Sequence, residues 1–230
     1  MQAAPKPRSS MTLSLFDALD APAPARVPLA EGALLLRGFA AADPTAEAAL
    51  MEALERVIAA APLRRMTTPN GQRMSVAMSN CGPLGWVSDR SGYRYVALDP
   101  ESGGPWPPLP ESFRDLARRA AAAAGFAGFE PDACLVNRYE PGTRLSLHQD
   151  RDERDYSAPI VSVSLGLPAV FLFGGLRRSD PAARVPLAHG DVVVWGGPAR
   201  LRFHGVLPLK PGCHPRLGER RVNLTFRRAG

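Results

Sequence analysis

The apolar positions divide the chain into two regimes. After Pro131 they follow a period of two: Ile160, Ser162 and Ser164 alternate with Val161, Val163 and Leu165. Ala169 to Phe173, Asp191 to Trp195, Leu201 to Val206 and Arg221 to Phe226 are further short runs, bounded by Gly and Pro. Successive side chains of a strand point to opposite faces, so this half is predicted to be a series of short strands in a sandwich or barrel. Upstream, Leu50, Leu54, Val57 and Ile58 keep helical spacing behind Asp43-Pro44. An Asp N-cap and a first-turn proline predict one amphipathic helix over 44–60. A second helix is predicted from about Glu111 to Ala124, with Gly125 as its stop. Ala33 to Leu36 reads as a strand ended by Gly38. Residues 64–108 mix Gly, Pro, Arg and aromatics without a sustained period and are expected to form short hairpins and mobile loops. Residues 1–30 are rich in Ala and Pro, with only Leu13 to Phe16 to dock, and read as an irregular arm. The predicted organisation is that arm followed by a single domain over 31–230.

Composition narrows the setting. The 230 residues suffice for one sizeable core, and 28 basic against 22 acidic residues give a net charge of +6, compatible with a nucleic-acid partner. Cys81, Cys134 and Cys213 are odd in number and widely spaced, with no Cys-x-x-Cys pair. That disfavours a zinc knuckle or a disulfide framework and suggests a reducing compartment such as the cytoplasm. No apolar run approaches the length of a membrane span, so no membrane partner is expected, and the protein is expected to be a monomer.

The candidate chemistry lies among the strands. His148 and Asp150 are two apart, so on a strand they project from one face, and His204 falls on a later strand. Two imidazoles and a carboxylate suit Fe(II) with open coordination positions. A His-x-Asp pair also fits a surface position beside a turn. The chain has only four histidines; His189 reads as structural in a turn, and His214 as exposed in a loop. Arg221, Asn223, Thr225 and Arg227 alternate with Val222, Leu224 and Phe226. Such a polar face would usually meet water. Inside a barrel its arginines need anions, and a guanidinium pairs bidentately with a carboxylate. In the irregular segment Trp86, Tyr93, Tyr95 and Trp106 are interleaved with Arg64, Arg65, Arg73, Arg90 and Arg94. Aromatics stack on bases and arginines neutralise phosphates, although loop anchors and a solvated surface would give the same spacing.

These segments together resemble the AlkB family of Fe(II)- and 2-oxoglutarate-dependent dioxygenases. The resemblance is carried by Met74 to Met78, Asn80-Cys81-Gly82, Leu84-Gly85-Trp86, Pro131 to Leu135, Asn137-Arg138-Tyr139 and Leu145 to Asp150. It continues through Ala158 to Pro168, His189 to Gly197 and Asn223 to Arg227, and so runs from about Leu29 to Gly230. It implies an α+β, mainly β fold: a double-stranded β-helix (jelly roll) with flanking helices and a nucleotide-recognition lid over 64–104. It implies that His148, Asp150 and His204 ligate iron, with 2-oxoglutarate and O2 as co-substrates. Arg227 would pair with the distal carboxylate of 2-oxoglutarate, and Leu135, Asn137 and Tyr139 would help hold it. Arg221 would lie near the keto-acid end, with Asn223 supporting the pocket. Trp86 would stack on a flipped base opposite His148, Met78 would line the pocket, Tyr93 and Arg178 would contact phosphates, and Asp152 would approach the exocyclic amine. The implied activity is oxidative demethylation of N1-methyladenine and N3-methylcytosine in single- or double-stranded DNA, with RNA as a second polymer. Gln72, where the family pattern carries a Tyr, and Asp89, an added negative charge beside the expected phosphate path, depart from that pattern. Two other readings compete: an oxygenase acting on protein, lipid or a small molecule, and a basic nucleic-acid-binding module without turnover.

Overall fold

A computed structural model describes residues 25–230. The Leu13–Phe16 run and most of the expected arm lie outside the described residues. In chain order the elements are β1 (Arg26–Ala30), β2 (Ala33–Leu36), α1 (Pro44–Ala60), β3 (Ala77–Cys81), β4 (Gly85–Asp89), β5 (Gly92–Val96) and α2 (Glu111–Ala123). They are followed by β6 (Ala133–Tyr139), β7 (Leu145–His148), β8 (Ile160–Gly166), β9 (Ala169–Phe173), β10 (Ala183–Leu187), β11 (Val192–Trp195), β12 (His204–Val206) and β13 (Arg221–Arg227).

Three sheets result, with strand orders β1-β2-β11-β8-β13-β6-β3, β10-β9-β12-β7 and β4-β5. The seven-stranded sheet buries both faces, which explains its continuous apolar content. Val222, Leu224 and Phe226 of β13, with Val161, Val163 and Leu165 of β8, face the helices. Against them pack Leu50, Leu54 and Val57 of α1 and Phe113, Leu116 and Ala120 of α2. Phe113 meets Phe226 edge-on, with ring centroids 5.9 Å apart. The opposite face turns toward the four-stranded sheet. Leu35, Ile160, Val193 and Trp195 meet Phe171, Phe173 and Val206 there. Two sheets with helices on one outer face form a jelly roll.

Helix α1 begins where its cap predicts. Asp43 Oδ1 accepts from the backbone N–H of Thr45 at 2.8 Å and of Ala46 at 3.3 Å. Asp43→Ala should destabilise the fold by about 1 kcal/mol. That would lower the Tm by about 2–4 °C, readable by scanning calorimetry with activity unchanged. Helix α2 stops at Ala123, and Gly125 has the left-handed φ of 91° its position calls for.

Four expectations change. Residues 26–30 are not irregular but form β1, paired with β2 at the sheet edge. The strand expected over 201–206 is shortened to His204–Val206, because residues 197–199 form a 3-10 turn that Arg200 closes. Residues 77–81, placed by sequence within the lid, are strand β3 of the main sheet, directly paired with β6. His214 is half-buried rather than exposed, its ring stacked on His189 at 4.4 Å.

Candidate active site

Register brings the three candidate ligands together. His204 on β12 stands opposite His148, the last residue of β7, and Asp150 follows just beyond that strand. The Gln149 amide donates to the Leu201 carbonyl at 2.6 Å and pins this segment. His148 Nε2 lies 3.6 Å from Asp150 Oδ1, and His204 Nε2 lies 3.7 Å from Oδ2. One ligand atom from each residue falls within 4.8 Å of the others.

The protonation states suit a metal. His148 Nδ1 is 2.9 Å from the Ser146 carbonyl, and His204 Nδ1 is 3.0 Å from the Arg202 carbonyl. A carbonyl only accepts, so Nδ1 carries the proton in each ring and Nε2 presents its lone pair inward. Burial, then the neighbouring His148, pushes the His204 imidazolium down to about 4, so this ring stays neutral in ordinary buffers. Burial alone would raise the Asp150 carboxyl, but Arg227 and the two imidazoles hold it well below the usual carboxylate range. Arg227 Nε and Nη2 both donate to Oδ2, at 2.9 and 2.6 Å, which leaves Oδ1 for a metal.

The pairing of Arg227 departs from expectation. The resemblance implied Arg227 for the distal carboxylate of 2-oxoglutarate, yet its guanidinium already holds the metal-binding carboxylate. Arg221 is different. It is only 1% exposed, and its Nε and Nη1 have no hydrogen-bond partner. Its Nη2 donates to Ser164 Oγ at 2.9 Å, and its guanidinium carbon lies 4.9 Å from the Tyr139 ring centroid. Burial lowers its pKa, opposed only by the Tyr139 hydroxyl and by no carboxylate.

The polar face of β13 is an interior ladder. Arg221, Asn223 and Thr225 stand opposite Tyr139, Asn137 and Leu135 of β6. Asn223 Nδ2 donates to Ser162 Oγ at 2.8 Å, and Thr225 Oγ1 donates to Asn223 Oδ1 at 2.8 Å. Asn137 Oδ1 is left without a partner. Native proteins seldom leave buried polar atoms unpaired, so these orphans, which line one cavity, make the ladder a candidate ligand position.

A cavity of about 690 Å³ joins the ladder and the three ligands to the β4–β5 hairpin. Met78, 2% exposed, lines it, as do Trp86, Tyr93 and Arg178. Trp86 and Tyr93 stack nearly parallel, with centroids 5.6 Å apart. Asn80 clamps Trp86 through two 2.9 Å hydrogen bonds to its backbone. Gly85 lets the hairpin cross Trp106, whose ring occupies the space a Cβ would need. Asp152, expected beside an exocyclic amine, accepts from Trp86 Nε1 at 2.8 Å. The Arg178 guanidinium sits 5.5 Å over the Phe203 ring.

Several phosphate candidates are already paired. Arg64 binds Asp99 through two bonds of 2.9 and 2.6 Å and covers Trp106, which is a buried anchor. Arg65 pairs with Glu140 at 2.9 Å. Arg94 pairs bidentately with Asp89, so the added charge of Asp89 is neutralised within the hairpin. Arg73, Arg144, Arg151 and Arg178 line the cavity. Glu153 and Arg200, which the sequence did not single out, form a buried network beside Asp150 with Tyr95, one of the four aromatics named from the sequence. Tyr95 carried a readable signal, because it alternates with Tyr93 and so shares its face of the strand. Glu153 and Arg200 lie in irregular segments and carried none.

The sequence profile of the 2OG-Fe(II) oxygenase superfamily matches residues 32–227. The alpha-ketoglutarate-dependent dioxygenase AlkB of Salmonella typhimurium is 59% identical over 207 residues, covering 90% of this chain and 94% of that protein. The protein of the same name from Escherichia coli K12 is 57% identical with the same coverage. The solved structure of OsALKBH1 superposes with a TM-score of 0.76 at 31% identity, over 89% of this chain and all of that one. The chain belongs to the AlkB family of the 2OG-Fe(II) oxygenase superfamily, and it is an Fe(II)- and 2-oxoglutarate-dependent dioxygenase.

Proposed function

We propose that the protein removes alkyl groups from damaged bases in DNA, with RNA as a second polymer, taking N1-methyladenine and N3-methylcytosine as substrates. One observation carries this reading: a single cavity reaches from the His148–Asp150–His204 cluster to the Trp86–Tyr93 stack, with Arg73, Arg144, Arg151 and Arg178 among its lining residues. An N-methyl group on a pairing edge is inaccessible in a duplex, so the base must leave the stack and enter a pocket. Trp86 offers it a stacking face, and Met78 offers an apolar wall. Arg73, Arg144, Arg151 and Arg178 neutralise the backbone phosphates.

The donor set fits Fe(II), a metal that accepts two imidazoles and one carboxylate with coordination positions left open. His148 and His204 would offer Nε2, and Asp150 would offer Oδ1, since Arg227 holds Oδ2. Arg221, whose Nε and Nη1 have no partner, would receive the distal carboxylate of 2-oxoglutarate, so the two arginine roles implied by the resemblance would be exchanged. Asn137 and Asn223 supply amide groups along the ladder, Leu135 supplies an apolar contact, and Tyr139 supports the guanidinium. The bound iron, with 2-oxoglutarate and O2, supplies oxidation of the N-methyl carbon, yielding succinate, CO2 and formaldehyde. The chain places that carbon beside the metal ligands and excludes water from it.

Steady-state turnover of Trp86→Ala tests the base site. Base–aromatic stacking contributes about 1–3 kcal/mol, so the KM for a methylated oligonucleotide should rise about 10- to 100-fold while that for 2-oxoglutarate holds. A lysine-methylated peptide should yield no formaldehyde from the wild-type protein. Efficient peptide demethylation, or an unchanged oligonucleotide KM in the variant, would overturn the assignment.

A further inference from the structure

Two acids follow Asp150 closely, and both reach across to the β4–β5 hairpin. Asp152 accepts from Trp86 Nε1 at 2.8 Å, and Glu153 Oε1 accepts from the Tyr95 hydroxyl at 2.7 Å. Trp86 and Tyr95 stand directly opposite each other in the hairpin. The pair of acids therefore grips one cross-strand aromatic pair.

Glu153 also faces the metal end. It is 6% exposed, and its Oε1 lies 3.3 Å from Arg227 Nε. Its Oε2 accepts from Arg200 Nη2 at 3.0 Å, and Arg200 Nη1 donates to the Asp150 backbone carbonyl at 2.8 Å. Polar contacts thus run unbroken from Tyr95 through Glu153 and Arg227 to Asp150 Oδ2. Two carboxylates compete for Arg227, and the shorter bonds go to Asp150. The Tyr95 hydroxyl and Arg227 Nε meet the same oxygen, Glu153 Oε1, so the two donors share one acceptor. With the hairpin withdrawn, that oxygen would be left to Arg227 alone and would compete with Asp150 Oδ2 for its Nε. In a buried network of this kind each bond polarises the next.

We propose that Glu153 is a positioning residue that couples seating of the hairpin on substrate to the orientation of the Asp150 carboxylate. The metal site is then set for oxidation when a base lies against Trp86. This inference rests on the reading of the protein as a base-dealkylating dioxygenase.

Tyr95→Phe and Glu153→Gln, each loaded with iron and 2-oxoglutarate, test it. Tyr95→Phe removes one hydroxyl and is the milder change should Glu153→Gln fold poorly. Succinate and formaldehyde are measured together on a methylated single-stranded oligonucleotide, and oligonucleotide binding is followed by fluorescence anisotropy. Loss of a partner behind a metal ligand typically lowers activity about 10- to 100-fold. Formaldehyde release should fall by that factor with oligonucleotide affinity and the KM for 2-oxoglutarate retained. Succinate should fall less, so that its ratio to formaldehyde rises above unity. Wild-type turnover in both variants, or a parallel fall of both products in step with lost oligonucleotide affinity, would overturn the coupling. Wild-type protein releasing succinate but no formaldehyde from the oligonucleotide would instead overturn the substrate reading, and the coupling with it.

Discussion

Asp150→Ala should reduce succinate release to background. Asp150 supplies the only carboxylate among the three candidate ligands, and its Oδ1 is the oxygen that Arg227 leaves free. Removing a partner that merely orients a metal ligand costs about 10- to 100-fold in affinity or activity, so loss of the ligand itself should exceed that. The substitution also strips Arg227 of its shortest contact and leaves it with Glu153 at 3.3 Å. Anaerobic calorimetric titration of iron into wild-type and variant protein measures the change in affinity. Chelator treatment of the wild type should abolish turnover in the same way, with recovery on adding iron back. Turnover by Asp150→Ala near the wild-type rate would remove this residue from the metal site.

Arg221→Met should raise the KM for 2-oxoglutarate by two orders of magnitude or more. Breaking a buried ion pair by removing one partner costs about 3–5 kcal/mol, which corresponds to about 10²- to 10³-fold in affinity. The stability of the co-substrate-free protein should move the other way or not at all. Arg221 is a buried cation with no carboxylate partner, and an apolar side chain of similar volume relieves its desolvation. The variant therefore separates binding from folding: the KM rises while the Tm holds or increases. A keto acid lacking the distal carboxylate should bind wild type and variant alike. A lower Tm with an unchanged KM would show that the guanidinium serves the fold and not the co-substrate.

Parts of this structure were readable from the chain, for identifiable reasons. Helix α1 declared itself through Asp43-Pro44 and its apolar spacing, because cap chemistry and periodicity are local. Strand β13 did so because its arginines alternate with core residues over its whole length. Strands β1 and β10 escaped notice, each containing a proline, Pro28 and Pro186. Both are edge strands, where a missing N–H need not break a ladder. The three candidate metal ligands were legible as residue types at suggestive spacings. The division of labour between Arg221 and Arg227 was not, since both occupy equivalent faces of one strand. The exchange proposed above rests on tertiary contacts, with Arg227 bonded to Asp150 and Arg221 Nε and Nη1 left without partners. The same limit hid Glu153, whose partners Tyr95, Arg200 and Arg227 lie 58, 47 and 74 residues away along the chain. For Arg64, Arg65 and Arg94 the sequence left phosphate contact and solvated surface both open, because interleaved charge cannot reveal which arginines pair with an acid.

The central claim is that this cavity oxidises the alkyl group of a damaged base. Intact-mass spectrometry of oligonucleotides carrying N1-methyladenine or N3-methylcytosine, with succinate and formaldehyde quantified in the same reaction, tests it most directly. Each restored base should be matched by one formaldehyde and one succinate, and all three should vanish without iron or without 2-oxoglutarate. Oligonucleotides recovered with their methyl groups intact, from protein that still converts 2-oxoglutarate to succinate, would contradict it.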